Sequence, residues 1–396
     1  MNNNPTVIVY AKRTAIGKFC GGLSTTPAPM LGATLVKDVL KQGLVSGQEI
    51  NEIIMGNVLP AGIGQAPARQ TAIYGGLPES VCAMTINKVC GSGLKAVMLA
   101  DQAIRLGDAK IVLAGGQENM SLAPHLLLNS RSGFRFGPSE LKDHMQWDGL
   151  WDPYGNSAMG NFGEVCAKEY KFSREEQDDF AIESYQRARA AQATGHFAKE
   201  IIAVEVASKK QINSINIDEE PAGADLERLR QLNPAFEKNG TITAANASSI
   251  NDGAAILLLM DLATAKAKGL KPLAKITAQA SFAQSPQWFT TAPIGAIKKV
   301  LDVAKLKKSD IDLFEINEAF SAVTMAAMKD LGLDHKKVNA FGGAVALGHP
   351  IGASGARILV TLINGLLEKN GRYGLATLCI GGGEASAVVI ENCHIS

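Results

Sequence analysis

Short apolar runs alternate with amphipathic stretches over the first 120 residues. Four of the runs are rich in apolar side chains, as buried strands are: residues 7–10, 53–58, 81–86 and 111–116. Residues 31–44 and 94–106 instead carry apolar side chains at helical spacing. Strands that alternate with helices predict an α/β fold with a parallel sheet covered by helices.

The pattern changes between residues 121 and 244. Residues 131–138 and 147–153 are irregular and carry aromatic side chains that we expect to be exposed. One strong helix is predicted there, from the capping box Ser-Arg-Glu-Glu at 173–176 to about residue 192. A loop-rich segment of this length inside an α/β domain is more often functional than idle. We therefore predict an inserted cap domain at 121–244.

A second alternation begins at residue 272, after a buried strand at 254–260 and a helix near 263–268, and it repeats the first. Three pairs of segments correspond: 50–57 with 311–317, 91–93 and its helix with 353–355 and a helix at 356–367, and 112–118 with 378–384. We predict a duplication in which residues 1–120 and 245–270 form one half and residues 271–396 form the other. Chance similarity of two α/β halves is the alternative. Twofold-related halves would bring Cys90 to face His349 and Cys379.

The composition restricts the class of protein and its surroundings. Of the 396 residues, 46% are hydrophobic and 19% are charged, which is typical of a globular protein. A formal net charge of +1 argues against nucleic acid or an acidic membrane as a partner. The longest apolar run, 254–260, is too short to span a bilayer, and residues 1–5 lack the features of a signal peptide. The six cysteines form no CxxC pair, which argues against disulfides and zinc and favours the reducing cytoplasm.

One cysteine occupies a chemically favourable place. Cys90 lies in Asn-Lys-Val-Cys-Gly-Ser-Gly at 87–93, where a predicted strand gives way to a predicted helix. N–H groups at the helix start are expected to lower the pKa of its thiol below the ordinary ~8.5. A lone cysteine is more often buried and structural. Two glycine-rich stretches, residues 346–355 and 379–383, make a catalytic role more favourable for Cys90. The first carries His349 as a candidate catalytic group, and the second carries the thiol of Cys379.

Further motifs follow one another along the chain: Arg-Thr-Ala-Ile-Gly at 13–17, Gly-Gly-Gln-Glu-Asn-Met-Ser at 115–121, Asn-Ala-Ser at 246–248, Asn-Asp-Gly-Ala-Ala at 251–255 and Asn-Glu-Ala-Phe at 317–320. With these motifs the sequence resembles a thiolase over essentially its whole length. The resemblance implies the thiolase fold, in which two duplicated βαβαβαββ halves form a layered α-β-α-β-α core with an inserted loop domain. It also implies a homodimer or homotetramer, and acetyl-CoA C-acetyltransferase activity. In that reaction of fatty acid metabolism, two acetyl-CoA molecules condense reversibly to acetoacetyl-CoA and CoA.

The same resemblance implies a role for each candidate catalytic residue. Cys90 is expected to carry the acyl group, which suits a thiolate because it is both a strong nucleophile and a good leaving group. Cys379 is expected to deprotonate the second acyl-CoA, and His349 to activate Cys90 and help hold the thioester oxygen. Asn317 is expected to position a water beside His349 in one oxyanion hole. The N–H groups of Cys90 and Gly381 are expected to form the other.

The resemblance also implies where the substrate binds. Ser248 is expected to hold the pantetheine arm of coenzyme A, and Phe289 to lie near the acyl group. Six more residues are candidates for the same tunnel, with ordinary packing as the alternative: Leu150, Met159, Phe236, Ala244, Ala319 and Phe320. No metal and no cofactor are expected, because coenzyme A and the acyl-CoA are substrates.

Four features depart from the family pattern, and one of them is that residues 384–386, after Gly383, are less glycine-rich than usual. Ala158 replaces a histidine and Phe289 a methionine near the acyl group, and Ala222 replaces an arginine at the nucleotide end of coenzyme A. Arg228 and Arg230 are candidates to replace that arginine. Longer substrates are therefore an alternative, as in a 3-ketoacyl-CoA thiolase of fatty-acid β-oxidation.

Two other classes of protein are weighed against these. One is a decarboxylating condensing enzyme of related fold, against which the second cysteine, Cys379, argues. The other is a non-catalytic acyl-CoA- or lipid-binding relative, which would be expected to lack at least one catalytic residue.

Overall fold

The computed structural model describes residues 4–207 and 211–395. Its strands are β1 Thr6–Thr14, β2 Gly17–Lys18, β3 Glu52–Gly56, β4 Cys82–Ile86, β5 Ile111–Asn119, β6 His125–Leu126, β7 Lys142–Asp143, β8 Trp151–Asp152, β9 Ser157–Ala158, β10 Ile201–Ile202, β11 Val204–Ala207, β12 Ile212–Ile215, β13 Asn251–Asp261, β14 Ala274–Ala283, β15 Leu313–Ile316, β16 Tyr373–Ile380 and β17 Glu384–Asn392. Its helices are α1 Ala28–Lys41, α2 Pro67–Tyr74, α3 Ser92–Leu106, α4 Met159–Tyr170, α5 Arg174–Ala193, α6 Glu219–Gly223, α7 Leu226–Leu229, α8 Leu262–Ala267, α9 Ala292–Ala304, α10 Ser321–Leu331, α11 Ala344–Leu347 and α12 Ile351–Lys369. The expectation about a signal peptide falls largely on residues 1–3, which lie outside the described residues.

The main sheet consists of two sections with corresponding strand orders. One section is β4-β3-β5-β13-β1 and the other is β15-β16-β17-β14, and they meet where β1 pairs briefly with β14. In each section a single strand, β13 or β17, runs antiparallel to both of its neighbours. The prediction of a parallel sheet is therefore wrong for these two strands. Strand β17 follows β16 through a tight turn and β13 returns from the cap, so neither is reached by the crossover helix that parallel pairing needs.

Helices cover both faces of each section of the sheet. Helices α3 and α12 pack against each other in a core cluster that includes strands of both sections. Helices α1 and α2 cover the outer face of the section that contains β4, and α9 and α10 cover that of the section that contains β15. The result is an α-β-α-β-α layering.

Among the described residues only α12 is long and apolar enough to cross a membrane, and 83% of its apolar window is buried, as in a core helix.

The two central helices begin earlier than the sequence predicts. They start at Ser92 and Ile351, and not near residues 94 and 356. Glycine lowers helix propensity, so the sequence favours a later start. In the fold these glycines let the helices touch, because a Cβ on Gly93 or Gly355 would approach a backbone nitrogen of the other helix to 2.8 or 2.4 Å. Tertiary packing therefore overrides the local preference.

The two halves share the register of their parallel strands. Strands β3 and β15 each lead into an asparagine, Asn57 and Asn317, as the predicted duplication requires. The strand pairings place Glu118 of β5 relative to Asn57 as Cys379 of β16 is placed relative to Asn317. The predicted match of Glu118 with Glu384 is therefore wrong.

The glycine pairs that suggested this match have different surroundings. Gly115 and Gly116 lie inside β5, where a Cβ on Gly116 would lie 2.0 Å from the carbonyl oxygen of Gly352. Gly382 and Gly383, with φ of +90° and +88°, form the turn from β16 to β17. In the first half, the connection between β5 and β13 is instead the long inserted segment.

The inserted segment contains the long helix that the sequence predicts. Helix α5 begins at a capping box in which Glu176 N–H donates to Ser173 Oγ at 3.1 Å and Ser173 N–H donates to Glu176 Oε2 at 2.7 Å. The segment is tied to the core by Arg13 of β1, whose buried guanidinium pairs with Asp218 and Glu200. The assignment of residues 121–244 to a separate domain stays a prediction.

Candidate active site

The chain turns sharply at Cys90, between β4 and α3. Val89 has a φ of +46°, which is a strained value for a β-branched residue. Asn87 Oδ1 accepts a hydrogen bond from Val89 N at 2.9 Å. Ser92 Oγ accepts from Lys88 N at 2.8 Å and donates to the Val89 carbonyl oxygen at 2.7 Å. These bonds hold the strained turn and with it the position of the Cys90 thiol.

Burial raises the pKa of the Cys90 thiol to about 11. The N–H groups of Gly381 and of Cys90 itself are directed at the sulfur and favour the thiolate, whereas the nearby Glu118 carboxylate disfavours it. The expected lowering of this pKa is therefore wrong for the free protein, because the loss of solvation outweighs the two N–H groups. The thiol is neutral at physiological pH and needs a base to react.

His349 lies two residues before the central helix α12 and is 5% exposed. Its Nδ1 lies 2.6 Å from Ser354 Oγ. Because the Ser354 hydroxyl donates to the Pro350 carbonyl oxygen at 2.9 Å, it accepts from His349 Nδ1–H, and Nε2 is left unprotonated. Nε2 has no hydrogen-bond partner among the described residues. Burial, with a smaller effect of Arg357, lowers the pKa of His349 to about 3, so the imidazole is a neutral base.

One cavity of about 400 Å³ collects most of the predicted site residues. Cys90, His349, Gly381 and Ser248 line it together, and Ala158 lines it where the resemblance leads one to expect histidine. The predicted substrate-binding residues that line the same cavity are Leu150, Met159, Phe236, Phe289, Ala319 and Phe320. The cavity thus places a thiol and a neutral imidazole between mainly apolar walls.

Two predicted catalytic residues lie just outside this lining. Cys379, at the end of β16, is fully buried in an apolar cluster with Phe289 and Phe320. Burial, followed by the proximity of Cys90, raises the pKa of Cys379 well above its ordinary value. Asn317 is 1% exposed, and neither Oδ1 nor Nδ2 has a partner among the described residues. An amide with both polar atoms open in this way is suited to hold a water.

The remaining predicted binding residues differ in position. Ser248 Oγ and N–H both donate to the Ala319 carbonyl oxygen, at 3.1 and 3.0 Å, and so join the loop at 246–248 to the loop at 317–320. Ala244 is exposed and lies outside the lining of the cavity. Arg230, one of the candidates to replace the missing arginine, pairs with Asp179. No group of three or more His, Cys, Asp or Glu side chains in the described part of the chain could hold a metal ion.

Comparison with known families agrees with this arrangement. The family described as "Thiolase, N-terminal domain" matches residues 6–263, and "Thiolase, C-terminal domain" matches residues 270–392. The chain belongs to the thiolase family. It is 52% identical over 387 residues to the acetyl-CoA acetyltransferase of Cupriavidus necator. This match covers 97% of this chain and 98% of that protein.

Two further relatives extend the similarity. An acetyl-CoA acetyltransferase of Escherichia coli is 51% identical over 390 residues, covering 98% of this thiolase and 99% of the relative. The crystal structure of the Bacillus anthracis acetyl-CoA acetyltransferase matches with a TM-score of 0.96 at 39% identity, over 98% of this chain and 99% of that one. The expected thiolase fold is thereby confirmed.

Sequence reasoning missed several residues that shape this thiolase site. Ser354 orients the His349 ring, and Asn251 Oδ1 accepts from His349 N–H at 2.9 Å. Both lie in motifs that the sequence singles out, but nothing in a motif shows which hydroxyl or amide faces the imidazole. The strain at Val89 has no sequence signal, because a valine predicts extended backbone.

Proposed function

We propose that this thiolase condenses two acetyl-CoA molecules into acetoacetyl-CoA and free coenzyme A, and catalyses the reverse thiolysis, through an acyl group carried on Cys90. The supporting observation is one cavity shared by the Cys90 thiol, the neutral His349 imidazole and Gly381, whose N–H is directed at the sulfur. Relatives that are about 50% identical over nearly their whole length bear the name acetyl-CoA acetyltransferase. A non-catalytic binder would have no use for this constellation.

In the first half-reaction the Cys90 sulfur attacks the thioester carbonyl carbon while His349 Nε2 accepts the thiol proton. The carbonyl oxygen becomes an oxyanion, which the N–H groups of Cys90 and Gly381 stabilise. Loss of one such donor typically costs about 10²–10³ in rate. The tetrahedral intermediate then expels the coenzyme A thiolate, which takes the proton from His349. The products are acetyl-Cys90 and free coenzyme A.

In the second half-reaction the thiolate of Cys379 removes a proton from the α-carbon of a second acetyl-CoA. The carbanion attacks the carbonyl carbon of acetyl-Cys90, a carbon–carbon bond forms, and Cys90 leaves as a thiolate. The proton that Cys379 loses when it forms its thiolate passes to the neutral His349 Nε2, and His349 returns it to the Cys90 thiolate. Burial strengthens Cys379 as a base once it is charged, and a water held by Asn317 would hydrogen-bond the enolate oxygen.

Mass spectrometry after mixing with acetyl-CoA tests the covalent step. The parent protein should gain one acetyl group on Cys90, and Cys90→Ala should gain none. Cys82→Ala removes an exposed thiol away from the cavity and is the matched control, with the parent's yield expected. Equal acetylation of Cys90→Ala would overturn the assignment. Thiolysis of acetoacetyl-CoA by the parent protein, without added metal or nucleotide, separates an enzyme from a binder.

Cleavage of longer 3-ketoacyl-CoA is a second candidate function. A lobe of about 450 Å³ shares Met159 and Gly381 with the catalytic cavity and is lined by Trp147, Trp151 and Tyr154. This aromatic lobe offers space for an acyl chain beyond Cys90. A series of substrates from about four to sixteen carbons measures the preference.

The residue at position 158 tests the same question. Ala158 lines the cavity, so Ala158→His would fill part of the cavity volume and leave less room for a long acyl chain. We therefore expect the variant to raise the selectivity for four-carbon over longer substrates. Unchanged kcat/KM ratios in this variant would reject a role of Ala158 in chain-length selection.

We also propose that the protein is a homodimer or homotetramer. Strand β4 forms an edge of the main sheet, and Met84 on it is 39% exposed; Phe136 in the inserted segment is fully exposed. Open strand edges and exposed apolar side chains are features of interaction surfaces. Sedimentation of a monomer at micromolar concentration would contradict the proposal. The cytoplasmic location and a role in fatty acid metabolism stay predictions.

A further inference from the structure

Glu118 is a buried carboxylate beside the catalytic cavity that the reaction steps above do not use. Its burial raises its pKa to about 7, whereas the two hydrogen bonds accepted by each of its oxygens favour the charged form. Oε1 accepts from Asn57 Nδ2 at 2.7 Å and Leu59 N at 3.1 Å. Oε2 accepts from Val58 N and Gly352 N, both at 2.9 Å. A protonated carboxyl would turn an O–H toward one of these donors, so the four bonds require the carboxylate form.

These bonds join the two halves of the fold next to the catalytic residues. Three of the donors belong to residues 57–59, which follow β3 in the half that carries Cys90. The fourth is Gly352, the second residue of α12, which lies three residues after His349. A carboxylate at a helix N-terminus is favourable, because it accepts from an otherwise unpaired N–H and interacts with the helix dipole. Glu118 therefore holds the start of α12 against the first half.

We propose that Glu118 is a positioning residue of this thiolase, whose carboxylate fixes the start of α12 and so places His349 against the Cys90 thiol. The inference rests on the proposed function, because it concerns the transfer of the Cys90 proton to His349. The four N–H donors around Glu118 fit only a side chain whose two terminal atoms both accept hydrogen bonds. An amide in its place would direct its own N–H bonds at two of these donors, and the start of α12 would move away.

The test measures the rate of Cys90 acetylation by acetyl-CoA in Glu118→Gln. We expect a fall of at least about tenfold, with the 10²–10⁴ that a positioned general base contributes as the upper bound. Asp101→Asn is the matched control. Asp101 is also a buried carboxylate that joins the halves, since it accepts from Gln279 Nε2 of β14 at 2.6 Å, but it lies on α3 away from the cavity. It should lose thermal stability and keep its acetylation rate within about twofold of the parent.

A double-mutant cycle separates positioning of His349 from a general loss of structure. In a His349→Ala background, Glu118→Gln should lower the residual acetylation rate by less than about twofold, because the group it positions is gone. Should Glu118→Gln fail to fold, Glu118→Asp retains the charge with a shorter reach and enters the same cycle. A parent-like rate in the single variant, an equal loss in Asp101→Asn, or a full loss in the His349→Ala background would each overturn the proposal. Failure of the parent to form acetyl-Cys90 would instead overturn the proposed function.

Discussion

At the scale of single residues, burial keeps both the Cys90 thiol and the His349 imidazole neutral in the free protein. Burial raises the pKa of Cys90 to about 11 and lowers that of His349 to about 3, so the pair does not exist as thiolate and imidazolium at neutral pH. In the proposed mechanism the Cys90 thiol loses its proton only when it attacks a bound thioester, which would limit side reactions of the free enzyme.

This ionisation predicts the pH dependence of Cys90 alkylation. Only the thiolate reacts with iodoacetamide, and a raised pKa leaves a smaller thiolate fraction at neutral pH. The alkylation rate of Cys90, followed by mass spectrometry, should therefore keep rising with pH toward about 11. A cysteine peptide treated in parallel should level off above its ordinary pKa of about 8.5. A plateau for Cys90 below that of the peptide would show a stabilised thiolate and contradict the burial argument.

A substitution of Cys379 separates the two half-reactions. Cys379→Ser should still accept an acetyl group on Cys90 but make almost no acetoacetyl-CoA, because a serine hydroxyl cannot act as the base near neutral pH. Exchange of label between acetyl-CoA and free coenzyme A needs only the first half-reaction and should persist. His349→Ala should depress both exchange and condensation. If Cys379→Ser loses exchange as completely as Cys90→Ala, the division between the two cysteines is wrong.

At the scale of elements, the site depends on how closely α12 approaches the first half of the fold. The approach uses glycines whose missing Cβ would collide with backbone, such as Gly116 of β5 against the Gly352 carbonyl oxygen. Backbone cannot move aside as a flexible side chain can. The packing of these two elements therefore sets the distance between the loop of His349 and the turn of Cys90.

Gly116→Ala tests this dependence. The added Cβ would lie 2.0 Å from the Gly352 oxygen, so α12 must shift. Overpacking of this kind typically costs about 1–3 kcal/mol. We expect a lower midpoint of thermal unfolding and at least a tenfold lower thiolysis rate. Gly223→Ala is the control, because no heavy atom lies within 4 Å of its added Cβ, and it should match the parent in both measurements. A parent-like rate for Gly116→Ala would show that the helix position is not critical.

At the scale of the whole molecule, a buried charge network joins the core to the inserted segment. Arg13 of β1 donates to both oxygens of Asp218, at 2.7 and 2.9 Å, and to Glu200 at 2.6 Å. Glu200 in turn accepts from Thr361 Oγ1 of α12 at 3.0 Å. All three charged side chains are fully buried. One guanidinium therefore connects the first strand, the inserted segment and the central helix.

Arg13→Met should destabilise the protein strongly, because it leaves two buried carboxylates without their cation. Removal of one partner from a buried ion pair typically costs about 3–5 kcal/mol. Thermal unfolding and limited proteolysis of the inserted segment measure the effect. Arg372→Met removes an exposed partner of Glu391 and should change the unfolding midpoint little, since exposed pairs contribute little. Equal midpoints for the two variants would contradict the role assigned to Arg13.

The sequence alone predicted the alternation of strands and helices in the first 120 residues, the long helix of the inserted segment, and the motifs that carry Cys90, His349 and Cys379. Hydrophobic periodicity, capping boxes and glycine-rich turns are properties of neighbouring residues, so they can be read along the chain. The roles of these residues came from the resemblance to thiolases and stay predictions, whereas the family matches support the reaction class.

Only the tertiary structure decided the features that depend on residues far apart in the chain. The early starts of α3 and α12 follow from their contact with each other, which outweighs the low helix propensity of glycine. The neutral state of Cys90 follows from burial, and the tautomer of His349 follows from the direction in which the Ser354 hydroxyl donates. The hydrogen bond from Gly352 N–H to the carboxylate of Glu118 joins residues of the two halves, which are far apart in the chain. Desolvation and hydrogen-bond partners are set by the packed fold, and no local pattern in the sequence contains them.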